Sequence, residues 1–363
     1  MAVGFCFYRS LMNTKYDKPF KTFDELALYL EMHHGLTVKN GNVERKYISD
    51  MLRIIPYYDV VNGYKDCFMS EDRFLPGIRF SDLQTFYSFD RGFQNVLFPF
   101  SIMVEDYFKN TLAYILARDF GVAEDEYLDK KNYVTARGNL TYSWLHNKIC
   151  RIYSSKNPES IEEPTRHYVC THNHIPPWIL LKNVTFSNAI NLFELLKPDQ
   201  KKEIAEAMVS ADIPVDQKIQ VLVYALTLIR KCRNRIAHNL KFISFEAKKY
   251  SVGVSKKALA QWIPTELISK SELYHGQGVY DIYAYFLFSA ALIPDCLHKL
   301  LLIARLSAYL GYFSDSSLAN LWAKQFIRYA QATNLPMDLH QRLVSYQRCV
   351  GNHFSEQVVK TNL

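Results

Sequence analysis

The sequence reads as an all-α protein. Apolar residues recur at helical spacing through most of the chain, and two capping boxes stand before such runs, Thr22 with Glu25 and Ser81 with Gln84. Only one stretch, Tyr57 to Lys65, has a clear strand-like composition. With 363 residues, 49% of them hydrophobic, the chain can bury a sizeable helical core.

Taken in order, residues 1–17 form an N-terminal extension and 18–156 an N-terminal helical half. Its first helix opens at Thr22 and ends before Gly35, and Asn42 caps a second through Arg53. Next comes YYDVVNGYK, where aromatic and β-branched residues before Asn62-Gly63 predict a short strand or hairpin near 57–65. Ser81 opens a long helix to Arg118, with Pro99 inside it and Gly121 at its stop, and Leu140 to Tyr153 gives another. Residues 157–177 hold four prolines and are expected to be an irregular hinge loop. The motif region, 178–250, contains helices over Phe186–Leu196, from Pro198 through Val209, and from Asp212 and Pro214 onward. Over 251–363 the pattern predicts helices at Ser255–Trp262, Val279–Leu310, Ser316–Ala332 and Met337–Val350.

Chemistry concentrates at the end of one helix. The run Val221 to Lys241, VLVYALTLIRKCRNRIAHNLK, delivers Arg230, Lys231, Arg233, Asn234, Arg235, His238 and Lys241, with no Asp or Glu between Asp216 and Glu246. Guanidinium groups give bidentate, permanently charged contacts and an imidazole titrates near neutrality, so the set suits a phosphate-bearing ligand. The bland reading is a helix C-terminus decorated with cations that complement its dipole, with His238 a core residue among Ile236, Ala237 and Leu240. An Arg followed by His after four to six residues is a short signal, for which chance alone gives about one and a half matches in this composition. Three occur: Arg166 with His172, Arg348 with His353, and Arg233 with His238. Only the last follows an apolar helical run in carboxylate-free sequence and has Asn after its Arg.

Other constellations carry less. His167, Cys170, His172 and His174 in HYVCTHNH offer nitrogen and sulfur ligands, but the spacing matches no closed zinc module, and no metal or other cofactor is expected. Asp90, Arg91 and Glu105 could form an acid/base set, although their helical setting favours salt bridges. The 48 Tyr and Phe residues, mostly at helical spacing, read as core. A net charge of +7 permits a nucleic-acid partner without demanding one. Seven scattered cysteines without CxxC fit reduced thiols in the cytoplasm. No leader is evident, and the apolar run Ile282–Ile293 is too short to span a membrane. The motifs of nucleotide hydrolysis, dinucleotide binding, serine hydrolysis and zincin proteolysis are missing.

The chain resembles the Abi-like family of bacterial abortive-infection, bacteriophage-resistance proteins, the AbiD and AbiF type. The resemblance runs through Lys18-Pro19-Phe20, Thr22-Phe23, Tyr57-Tyr58, Asn62-Gly63-Tyr64, Pro76-Gly77 with Phe80, Tyr87, and Phe89-Asp90-Arg91. It continues with Glu105, His167-Tyr168, Pro176-Pro177-Trp178, Thr185-Phe186, Arg233-Asn234 and His238. Three places depart from the family pattern. Ser187 stands where Gly usually follows Thr-Phe, Arg235-Ile236 where an Asn-x-Cys-like step is common, and His238-Asn239 where a His-His pair is usual.

The resemblance implies an HEPN-like core in which Arg233, Asn234 and His238 form a metal-independent endoribonuclease motif. The cations Arg230, Lys231, Arg235 and Lys241 of the same carboxylate-free run are then the candidates to bind the RNA. Five residues along a helix turn through about 500°, so Arg233 and His238 lie roughly 140° apart, whereas Asn234 and His238 share a face. One regular helix therefore does not close a site: either it breaks near His238, or a second copy in a homodimer supplies the missing group. Two further readings stay open. The chain could be a non-catalytic RNA-binding component of an antiphage ribonucleoprotein holding a small structured RNA. It could instead be a protein-interaction toxin acting through its C-terminal helices. In each reading a phage or host protein is a candidate trigger.

Overall fold

A computed structural model describes residues 18–243, 245, 253–311 and 317–361. Among them the fold is all-α, as expected, with two short antiparallel ribbons as its only sheets. The chain divides into two compact units, Met1–Ser88 and Phe89–Leu363.

In the first unit, helices α1 (Phe23–Met32) and α2 (Gly41–Ile54) pack together. Thr22 and Glu25 make the expected reciprocal capping box. At α2 the cap differs from expectation. Asn42 lies inside the helix and accepts from Arg45, while the buried Glu44 carboxylate takes the Lys39 and Asn40 N–H groups at 2.7 and 3.3 Å and the Arg79 guanidinium at 2.9 Å.

The stretch expected to be extended near 57–65 is helical instead. A π-helical turn spans Tyr58–Asn62, and Gly63 donates to Tyr58 O at 2.8 Å, the five-residue reach that defines such a turn. Gly63 has an ordinary helical φ of −59°, and a Cβ there would lie 2.3 Å from Asp59 O. Its glycine thus serves close backbone approach rather than a hairpin. Helix α3 (Lys65–Phe68) follows, and the hairpin falls at β1 (Met69–Ser70) and β2 (Arg73–Phe74). Its turn residues Glu71 and Asp72 have φ of 49° and 65°, the positive pair of a type I′ turn achieved without Asn-Gly. Helix α4 (Phe80–Phe120) then opens one residue before Ser81. The Asp82 carboxylate accepts the Arg79 N–H at 2.9 Å, and Gln84, expected to serve the cap, bonds Tyr47 and Met51.

From Phe89 onward α4 belongs to the second unit and passes through Pro99 to Gly121, where φ reaches 111°. Proline cannot donate to the carbonyl four residues back. Nearby carbonyls are taken by side chains, Leu97 O by the Tyr285 hydroxyl at 3.1 Å and Phe98 O by Ser101 Oγ at 2.6 Å. Then come α5 (Glu124–Tyr127), the ribbon β3 (Ala136–Arg137) with β4 (Leu140–Thr141), α6 (Tyr142–Cys150), α7 (Thr165–Thr171) and α8 (Pro177–Asn183). The proline-rich stretch thus holds a helix of its own. Helices α9 (Phe186–Leu195), α10 (Pro198–Met208) and α11 (Val215–Ala237) follow, then α12 (Lys256–Trp262) and α13 (Lys270–His275). Pro294 divides the expected 279–310 helix into α14 (Ile282–Leu292) and α15 (Cys296–Gly311), before α16 (Ser317–Thr333) and α17 (Leu339–Thr361).

Helix α11 is central, packing on α9, α10, α12 and α14. It buries Val221, Leu222, Tyr224, Ala225, Leu226, Leu228, Ile229 and Cys232, more than one stripe, which anchors its basic end. Helix α14 is buried on nearly every side, as its apolar run predicts, and no described helix is long and apolar enough to cross a membrane.

Candidate functional site

Helix α11 stops where its chemistry is densest. Ala237 is its last residue, His238 caps it, and Asn239 adopts φ 55°. The N–H of Leu240 bonds Arg235 O at 2.9 Å and that of Asn239 bonds Ile236 O at 3.0 Å. This pair is a Schellman closure with asparagine, tolerant of the left-handed region, in the place of the usual glycine. Of the two ways left open for completing the site, the helix does end at His238. Residues Ala237 to Leu240 are exposed, so the imidazole is not a core group, and it has no side-chain hydrogen-bond partner among the described residues.

The other candidate residues divide by what holds them. Arg233 is half-buried: its Nη1 donates to Asn234 Oδ1 at 3.1 Å, its Nη2 lies 3.6 Å from Glu105 Oε2, and its Nε is buried with no hydrogen-bond partner among the described residues. Glu105 is shared with Lys109 of the next α4 turn at 2.7 Å. The sequence around the motif is free of carboxylates, but the fold brings one in from α4. Since it lies between two cations, this trio stays net positive. Arg235 turns back, its Nε donating to Lys241 O at 2.9 Å. Arg230 is half-buried with no ion pair among the described residues, and burial pulls its guanidinium below the ordinary range. Burial, then the neighbouring Arg230 charge, brings the Lys231 ammonium down to about 8. The thiol of the next residue, Cys232, is fully buried, and that burial pushes it well up, so it stays protonated.

A second group of α4 residues meets the turn after His238. Arg91 Nη2 donates to Asn239 O at 2.8 Å and Nη1 to Leu240 O at 3.4 Å. Asp90, wholly buried, accepts the Phe242 N–H at 3.3 Å, the Gln94 amide at 2.8 Å and the Tyr329 hydroxyl at 2.6 Å. Asp90, Arg91 and Glu105 are thus hydrogen-bonding and ion-pair partners of the basic segment. Their helical setting signalled salt bridges; nothing local could tell which partner each would find.

The remaining candidates lie apart. Arg166 and His172 belong to the α7 segment, and Arg348 and His353 to α17. The His167 and His172 rings are 5.5 Å apart with Cys170 exposed beside them, and no three His, Cys, Asp or Glu of the described residues group as metal ligands.

Residues 50–244 match the family described as Abi-like protein. The chain belongs to the Abi-like family. No curated protein and no solved structure matches it as a relative. Membership points to abortive-infection defence against phage. The matched span of this Abi-like chain includes α4 and α11, hence both Glu105 with Arg233 and Arg91 with the Asn239 turn, whereas Tyr329 lies beyond it.

Proposed function

We propose that this Abi-like protein acts on RNA in bacterial antiphage defence, as a metal-independent endoribonuclease. The reading rests on one observation: α11 ends in an exposed imidazole with no side-chain hydrogen-bond partner among the described residues, directly after the half-buried Arg230, which has no ion pair among them, and Arg233, whose carboxylate Glu105 is shared with Lys109. Desolvated cations gain most from an anion that replaces their lost water.

In this reading His238 takes the proton of a ribose 2′-hydroxyl as the oxygen attacks the adjacent phosphorus. The bond to the 5′-oxygen breaks, and a second imidazole returns a proton there, leaving a 2′,3′-cyclic phosphate and a 5′-hydroxyl. Arg233 neutralises charge on the phosphorane-like transition state. To do so it exchanges Glu105 for phosphate, and Lys109 remains as the partner of that carboxylate. Asn234, whose oxygen accepts from Arg233, orients the guanidinium rather than His238. The second imidazole comes from a second copy of the chain in a homodimer.

The test incubates purified wild-type, His238→Ala and Arg233→Ala protein with total cellular RNA and EDTA, and sequences the 5′-hydroxyl fragments. Cleavage by wild type alone is the expected result. If none cuts but all co-purify with a discrete RNA, the motif is a binding element and the enzymatic reading fails.

A further inference from the structure

The side chain of His238 has no hydrogen-bond partner among the described residues, so its position depends on the backbone that carries it. That backbone is tied residue by residue. Asn239 O and Leu240 O accept from Arg91, Lys241 O accepts from Arg235, and the Phe242 N–H goes to Asp90. All four ties use main-chain atoms of 239–242, so they fix where the turn lies whatever its side chains are.

The groups behind the ties are themselves held. Gln94, almost fully buried, donates to Asp90 Oδ2 at 2.8 Å and accepts from Arg91 Nη1 at 3.3 Å, joining the two into one network. Tyr329 of α16, also fully buried, donates to the other Asp90 oxygen. A buried carboxylate costs several kcal/mol in lost hydration unless its oxygens are fully hydrogen-bonded. Packing alone would be served by apolar residues of the same volume. Spending a buried acid and two guanidinium groups on four residues of one turn makes sense where that turn needs a single position.

We propose that Asp90 and Arg91, anchored by Tyr329, are positioning residues that hold the 239–242 turn and thereby set His238 for reaction. The inference rests on the functional role given to His238. It also gives the C-terminal helices a part in the site beyond packing. Misplacing a reacting group by about 1 Å can cost 10²-fold in rate. Lys at 91 keeps the charge but cannot bridge two carbonyls as the planar fork does.

The experiment compares full-length wild type, Arg91→Lys, Asp90→Asn and Tyr329→Phe in cleavage of one defined RNA. Thermal unfolding and the His238 ring resonance in 13C-histidine-labelled protein, assigned by its loss in His238→Ala, are read alongside. Expected for Arg91→Lys and Tyr329→Phe are a kcat lower by about 10- to 100-fold, a KM within about 3-fold, and a shifted or broadened His238 signal with that of His275 unmoved. Asp90→Asn is the variant most exposed to misfolding; Tyr329→Phe, which removes one hydroxyl, decides the matter without it. A His238 resonance indifferent to both Arg91→Lys and Tyr329→Phe would overturn the clamp even if wild type cuts RNA. Wild type that does not cut while the resonance still responds removes the enzymatic role and leaves the clamp standing.

Discussion

At the scale of single residues, Lys231 gives the site a pH dependence. Its ammonium is brought down to about 8 by burial and by Arg230, so free protein loses this charge as pH rises through about 8. In the proposed reading the phosphate of RNA favours the charged form, so RNA binding should weaken between pH 7 and 9. Arginine at this position stays protonated. Filter binding across that range should therefore show a fall in wild-type affinity that Lys231→Arg lacks; equal slopes would remove Lys231 from the interface. For folding the sign is opposite. An unfolded lysine near 10.5 holds its proton longer than the native one, so between about 8 and 10.5 this residue makes stability rise with pH. Cys232, beside it and fully buried, contributes no thiolate chemistry in either range.

At the scale of elements, the end of α11 depends on one backbone conformation. Asn239 at φ 55° closes the helix, and any β-branched or alanine side chain there pays the left-handed penalty of about 1 kcal/mol. Asn239→Ala should lower stability by about that much in chemical denaturation, and Asn239→Gly should be close to neutral. An Ala variant as stable as wild type would mean that the turn relaxes at no cost. This same closure marks the limit of what local sequence could tell. The course of α11 from Pro214 to its basic end was readable, because apolar spacing and a start signal set it. Whether it broke at His238 was not, since a helical wheel continues past any residue without a glycine or proline. Asn239 was the available signal. The Asn62-Gly63 pair misled for the converse reason: tertiary packing of Val60, Val61 and Tyr64 holds it in a π-helical turn. The Glu105–Arg233 contact joins residues 128 apart in the chain, which no local period encodes; the family blocks alone placed both residues in one pattern.

At the scale of the whole molecule, the question is whether one chain makes a complete site. The reaction as proposed needs a base and an acid, and each chain offers one exposed imidazole at the end of α11. A two-fold pairing of this end would bring two His238 and two Arg233 together at one composite centre, and the exposure of residues 237–240 leaves that surface open for it. The requirement shows in mixtures. If wild-type and His238→Ala chains are co-expressed with separable tags at equal levels, about a quarter of dimers carry two intact imidazoles, half carry one and a quarter none. A composite site needing both gives total activity of about a quarter that of the same amount of wild type, falling as the square of the wild-type fraction. Chains that each complete their own site give about half, falling linearly. Titrating the ratio and measuring cleavage of one defined RNA separates the two curves, with light scattering to establish that dimers form at the concentration used. A linear fall would place the second proton donor within a single chain, and the residues facing His238 in that chain would then have to supply it.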